Sequence, residues 1–191
     1  MKSLIPLNMS YVSLSFFVLT VLSVLIYYIV PKQYRWIVLL IASSVFYYSA
    51  AGGNIPVILL FISTILVSYI SGMYLGKQRN NNKKGNASSG SGKWTVVILA
   101  LICLTPLLLL KSNAFIYKPI QKHDISWLFV PLGISFYSLQ IVSYLFDIWK
   151  GETEPESNLL KYALFISFFP HIMQGPIPRY NDLAHQLFLQ L

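Results

Sequence analysis

Charge is scarce in this sequence, and acid scarcer than base. Only 10% of its 191 residues are Asp, Glu, Lys or Arg, against 55% that are apolar. A water-soluble domain carries about a quarter charged residues, so too little polar surface is present to cover a soluble body. The single cysteine, Cys103, excludes an internal disulfide or a cysteine cluster, and it is expected only to pack. His123, His171 and His185 form no HxxxH pair, so no metal is expected. A net charge of +8 would suggest nucleic acid on a soluble chain. Here the bases lie between apolar runs, which suits topology signals and anionic headgroups. The most basic run, 76–93, has no aromatic side chain on which a base could stack, and nucleic acid is not an expected partner.

Long uncharged runs are what the sequence has instead. A membrane helix needs about 20 mostly apolar residues to cross roughly 30 Å of hydrocarbon. No charge falls between Lys2 and Lys32, and Tyr11–Val30 reads as a first span. No small-residue cleavage pattern follows it, so it reads as an anchor and not a removed signal peptide. No charge falls between Arg35 and Lys77 either. Gly52-Gly53-Asn54-Ile55-Pro56 marks a turn inside that run, giving spans at Trp36–Ala50 and Pro56–Leu75. On the third span Ser68, Gly72 and Gly76 recur every four residues, a small-residue stripe that lets a neighbouring helix approach closely. Residues 76–93 are hydrophilic and low in complexity, the composition of a flexible basic loop. A fourth span follows at Trp94–Leu110, with Trp94 at an interface.

The last third reads differently. Pro131-Leu132-Gly133 precedes a helix expected over Ile134–Trp149, about 24 Å long at about 1.5 Å per residue. Leu159–Phe169 is shorter still, and Pro170 and then Gly175-Pro176-Ile177-Pro178 cannot continue a helix. Broken backbone at membrane depth is tolerated only where protein or water covers it, so this region is expected to line a cavity. The fold class that results is an all-α, polytopic integral membrane protein. It divides into three transmembrane helices (1–75), the loop (76–93), and a fourth span with two short or broken membrane helices (94–191). Most Lys and Arg fall in the Lys32–Arg35, 76–93 and Lys150–Lys161 connections, which places these in the cytoplasm and the amino terminus outside.

Two late segments resemble a known family. Val130 to Tyr137, running on through Gln140 and Ser143-Tyr144-Leu145 to Asp147-Ile148-Trp149-Lys150-Gly151, resembles the PLGISFYTFQ…SYLIDVYRG run of the membrane-bound O-acyltransferases (MBOAT), in the alginate O-acetyltransferase branch. Phe168-Phe169-Pro170-His171 through Gly175-Pro176-Ile177-Pro178-Arg179-Tyr180 resembles its FFPQLIAGPIxRY run. Leu39 to Tyr48 is similar to its LLLIASYVFY, and Lys111-Ser112-Asn113-Ala114-Phe115 sits where the family has a KYYNF-like stretch. The resemblance implies a partial MBOAT fold around a tunnel, and an acyl donor such as acetyl-CoA arriving from the cytoplasm with no bound cofactor. Extracytoplasmic polysaccharide would be the acceptor, in the inner or plasma membrane of a bacterium. Membrane lipids and extracytoplasmic polysaccharide-acetylation proteins are the implied partners. The family's essential histidine lies in a downstream WRRWHISLS-like run that these residues do not contain. The chain is therefore expected to be an amino-terminal portion, inactive alone, whether truncated, degenerate or split from a separately encoded carboxy-terminal half. A non-catalytic membrane scaffold or transport subunit is the alternative.

Gly133, Ser135, Gln140, Asp147, His171, Gly175 and Arg179 are the candidates for the cavity or substrate path; no catalytic residue is assigned. An imidazole can act as a base near neutral pH, but the family position matching His171 frequently carries Gln. His171 is thus expected to line the cavity or to bond broken backbone. Asp147 either pairs with Lys150 one turn on or is a buried carboxylate holding a partner. Arg179 either grips a phosphate-bearing donor or snorkels to headgroups. Ser135 and Gln140 are cavity polars or helix–helix hydrogen bonds. His123 is expected in solvent, and His185 at the interface.

Overall fold

Gly52 and Gly53 adopt φ of 61° and 71°, the left-handed region that glycine enters without steric cost. They fold the long uncharged run into two helices, as the turn signal implies. The computed structural model describes residues 14–83, 91–116, 133–173 and 179–189. Its helices are α1 (Leu14–Ile29), α2 (Arg35–Ala50), α3 (Ile55–Lys83), α4 (Ser91–Ile116), α5 (Ile134–Lys150), α6 (Leu159–Ser167), α7 (Phe169–Met173) and α8 (Tyr180–Ala184). A 3-10 turn, Lys32–Tyr34, follows Pro31, and a π-helical turn, His185–Leu189, follows α8. Among the described residues there is no strand.

The helices meet the expectation of four full spans only in part. Among the described residues one helix segment, Ile55–Asn81 in α3, is long and apolar enough to cross a membrane. Phe16–Ile29 and Gly92–Leu108 are apolar but shorter, and α2 has 16 residues, about 24 Å at about 1.5 Å per residue. The expected loop at 76–93 also needs correction. Its first eight positions continue α3 to Lys83, because Lys, Gln and Arg are good helix formers and Arg79 is anchored across the bundle. From Ser91 the chain is again helical.

α5 lies at the centre. Tyr137, Ile141, Tyr144, Leu145 and Ile148 are all but fully buried on it, and it packs against α3, α4 and α6. The small-residue stripe on α3 is what lets these elements close. A Cβ on Gly72 would stand 2.9 Å from Cε1 of Tyr144, and Gly76 faces the ring of Pro155. Ser68 accepts a 2.8 Å hydrogen bond from the buried Tyr162 hydroxyl of α6. α2 packs on α1, α6 and α7, and meets α3 where the rings of Tyr47 and Phe61 stack at 3.8 Å.

The helix expected over Leu159–Phe169 ends two residues early. In a continuous helix the ring of Pro170 would clash with the carbonyl of Ile166. The backbone therefore turns at Phe168 (ψ 104°), and Pro170 becomes the second residue of α7, where no amide hydrogen is needed. The amide of Phe169, freed by the break, donates to Ser43 Oγ of α2 at 3.3 Å.

Candidate functional site

The polar side chains gather where α5 ends. Gly151 takes φ of 85° and closes the helix, its amide donating to the carbonyls of Asp147 and Ile148. The amides of Glu152 (2.9 Å) and Thr153 (3.3 Å) also donate to the Asp147 carbonyl. Asp147 itself is buried, 5% exposed, and the charges that act on it are Arg179, Glu152, Lys150 and Asp182.

Arg79 reaches this end from α3. Its guanidinium donates to the carbonyls of Ile148 (2.9 Å) and Thr153 (3.1 Å) and pairs with Glu154. A cation suits a helix C-terminus, where unpaired carbonyls carry partial negative charge. Glu152 is the second hub. Its carboxylate accepts from Arg179 at 3.1 Å and lies 3.9 Å from Lys150 Nζ. Asn181 donates to its carbonyl at 2.8 Å, which ties α8 to the loop. Glu156 accepts from the Tyr180 hydroxyl, and its amide donates to Tyr144 at 2.9 Å. Burial holds the Tyr180 hydroxyl well above its ordinary pKa, and the facing Glu156 carboxylate acts in the same direction. Tyr180 therefore stays a donor. Asn158 then caps α6, accepting from the amides of Leu160 and Lys161.

Among the described residues the candidates stand at different places in the bundle. Asp147 and Arg179 share the polar end. Of the two readings of Asp147, no ion pair with Lys150 is formed, since Lys150 is turned to Glu152; Arg179, 62% exposed, is also paired with Glu152. Gly133 is the left-handed N-cap of α5, φ 73°. It lies about 20 Å from Asp147 along the helix at about 1.5 Å per residue. Ser135 is half-buried. Gln140 is buried and donates to the Phe165 carbonyl at 3.0 Å, a helix–helix hydrogen bond. His171 lies on α7 with its ring 5.3 Å from that of Phe168, and its Nδ1 is buried without a partner among the described residues. Gly175, His123 and the Pro131-Leu132 pair lie outside the described residues. Among the described residues no three His, Cys, Asp or Glu gather as a metal site requires.

Sequence reasoning missed Arg79, Glu152, Glu156 and Tyr180. Three of the six acids, at 152, 154 and 156, crowd the connection after α5, and that crowding was the available signal. Chemically the cluster binds its own chain. Glu154 is paired with Arg79, Glu152 with Arg179 and Glu156 with the Tyr180 hydroxyl, contacts that fix the end of α5, the 151–158 connection and α8.

Against known proteins, the chain aligns with two proteins named "Probable alginate O-acetylase AlgI". The one from Azotobacter vinelandii is 29% identical over 169 residues, 84% of this chain and 32% of the relative. The one from Pseudomonas fluorescens is 29% identical over 127 residues, 66% of this chain and 23% of the relative. The resemblance to the alginate O-acetyltransferase branch holds. A peptidoglycan O-acetyltransferase of Helicobacter pylori is also similar, at 34% identity over 31% of this chain and 16% of the relative. These homologues are O-acetyltransferases by name. The chain spans about a quarter to a third of the length of the alginate O-acetylases it matches. No family model matches it, and no solved structure does.

Proposed function

We propose that the chain is a membrane-embedded part of an O-acyltransferase that passes acyl groups, acetyl foremost, to a polysaccharide outside the cytoplasm. The observation that carries this reading is its similarity to alginate and peptidoglycan O-acetylating proteins. The distribution of polarity supports the membrane. Large apolar side chains face outward on several helices (Phe17 70%, Ile70 65%, Leu101 53% exposed), while Ser43, Ser68 and Gln140 are buried inside and hydrogen-bonded. That is the arrangement expected where lipid is the solvent and polar groups must find partners within the protein. On this reading α3 crosses the bilayer, α1, α2 and α4 cross beside it, and the Arg79–Glu152–Tyr180 cluster stands at the cytoplasmic face.

Acyl transfer needs a positioned acid–base group. His171, packed on Phe168, has its Nδ1 without a partner and no carboxylate paired with it among the described residues. These 191 residues alone are therefore proposed to lack turnover, and to supply walls of the acyl path instead. The test is expression of the chain, membrane isolation, and transfer assays from labelled acetyl-CoA to alginate and to peptidoglycan. No transfer by the chain alone, with transfer restored by co-expressing the remaining region of an alginate O-acetylase, is the expected result. Turnover by the chain alone that is lost in His171→Gln would refute inactivity. A stable chain that restores no transfer in any combination would favour a non-catalytic scaffold.

A further inference from the structure

Between α2 and α3, on the outward side of α6, lies a groove of about 600 Å³, within the roughly 300–1,000 Å³ typical of small-molecule sites. α6 packs against both helices and forms its floor. The groove is graded along its length. At one end stand Leu40, Leu66 and Leu159, level with the middle of α3; at the other stand Tyr47 and Tyr48, in the last turn of α2 beside the α2–α3 turn. α6 runs from the first end towards the second. The Ser157 carbonyl just before it accepts from Tyr69 of mid-α3 at 2.6 Å, while Phe169 just beyond it is bonded to Ser43.

Two lining residues, Tyr47 and Ser167, carry buried hydroxyls without a hydrogen-bond partner among the described residues, and of the two Ser167 departs from the pattern of the other aliphatic hydroxyls here. Hydroxyls on these helices bond back to their own carbonyls, Ser44 to Leu40, Thr64 to Leu60 and Ser71 to Val67, each at 2.8 Å. Ser167, 4% exposed and lining the groove, does not: its Oγ is buried without a partner among the described residues. Buried hydroxyls are nearly always hydrogen-bonded, so a donor left free at the edge of a groove points to an acceptor brought by a ligand. The rim, including Tyr48, Ile62 and Leu160, is apolar and exposed, which excludes a charged or strongly hydrated occupant.

We propose that this groove is a binding site for one acyl chain of a bilayer phospholipid, with the ester carbonyl accepting from Ser167 Oγ and the tail running towards Leu40 and Leu66. The grading matches that occupant. A phospholipid places its ester oxygens near the membrane face and its tail towards the middle, the order in which hydroxyls and leucines follow one another here. The inference rests on the membrane reading above. It is distinct from the acyl path, because the groove opens outward and not into the bundle.

The full chain would be expressed in membranes, extracted in mild detergent and weighed by native mass spectrometry. One retained phospholipid per chain is expected. Ala163→Trp, which fills the groove floor, abolishes retention, and Ser167→Ala lowers it about fivefold, the loss of one hydrogen bond. Leu101→Ala, on the exposed face of α4, leaves it unchanged. In parallel, the unmodified chain in phosphatidylcholine vesicles doped with a diazirine-tailed phosphatidylcholine should cross-link chiefly through peptides of α2, α3 and α6. Equal retention by a monodisperse Ala163→Trp chain overturns the proposal, as does cross-linking spread evenly over exposed Phe17, Ile70 and Leu101. If Ala163→Trp fails to fold, the cross-linking map decides alone. Alkaline carbonate extraction separates the two readings. A chain released with soluble proteins overturns the membrane assignment and this site together; a chain kept in the membrane with an empty groove overturns only the site.

Discussion

Gly76→Ala separates a helical α3 from a flexible loop at that position. On an exposed helix this change stabilises by about 1 kcal/mol through propensity alone, and in a mobile loop its effect is close to zero. At Gly76 the new Cβ would stand 3.0 Å from Cδ and 3.4 Å from Cβ of Pro155, and nearer still to Cγ. The optimum between carbon atoms is about 3.5–4.0 Å. A proline ring cannot rotate aside as a long side chain would, so α3 and the 151–158 connection must part. Overpacking of this kind costs about 1–3 kcal/mol, against which the propensity gain offsets only a part. A net loss of about 1–2 kcal/mol is expected. Unfolding of the purified chain in mixed micelles, titrated with dodecyl sulfate and followed by tryptophan fluorescence, would measure it. Pro155→Ala in the same chain should restore most of the loss, with a coupling of at least about 0.5 kcal/mol. A neutral or stabilising Gly76→Ala, without coupling to residue 155, would refute the packing of α3 on this connection.

Arg79→Met leaves the Ile148 and Thr153 carbonyls without their charged donor and should cost about 2–4 kcal/mol. Faster proteolysis within 151–158 should accompany it, and Arg79→Lys should recover only part because an ammonium cannot fork to both carbonyls. Glu152→Gln breaks exposed pairs with Arg179 and Lys150 and should shift unfolding by less than about 1 kcal/mol. Asn158→Ala removes the α6 cap and should cost about 1 kcal/mol, read as faster amide exchange at Leu160 and Lys161 with the centre of α5 still protected.

Much of the architecture was legible because local chemistry dictates it. Gly52 to Pro56 announced the α2–α3 turn, Gly133 the start of α5, and the Ser68, Gly72 and Gly76 spacing the close packing of α3. What escaped was non-local. A composition reading of 76–93 weighs hydrophilicity, and hydrophilicity does not distinguish a loop from a helix whose arginine is anchored on a distant carbonyl. Lys150 sits one turn from Asp147 in sequence, but the left-handed Gly151 swings Glu152 back towards it. Gln140 offered two readings, and only the facing Phe165 carbonyl of α6 chose between them. Of the site candidates, Asp147 and Arg179 share a cluster, while Gly133 and His171 stand elsewhere; spacing along a chain carries no information about which ends of helices meet.

The partnership of α2 with α6 bears on biogenesis. α2 is synthesised early, yet its closest neighbours besides α1 include α6 and α7, which are synthesised far later. Contacts so distant in sequence form slowly. Until Leu159–Met173 arrives, Ser43 has no Phe169 amide to receive and Tyr47 lacks the floor beneath it. On the membrane reading proposed above, a nascent chain halted before Leu159 would leave α2 without its late neighbours, so that Leu159–Met173 completes the packing of a helix made more than a hundred residues earlier.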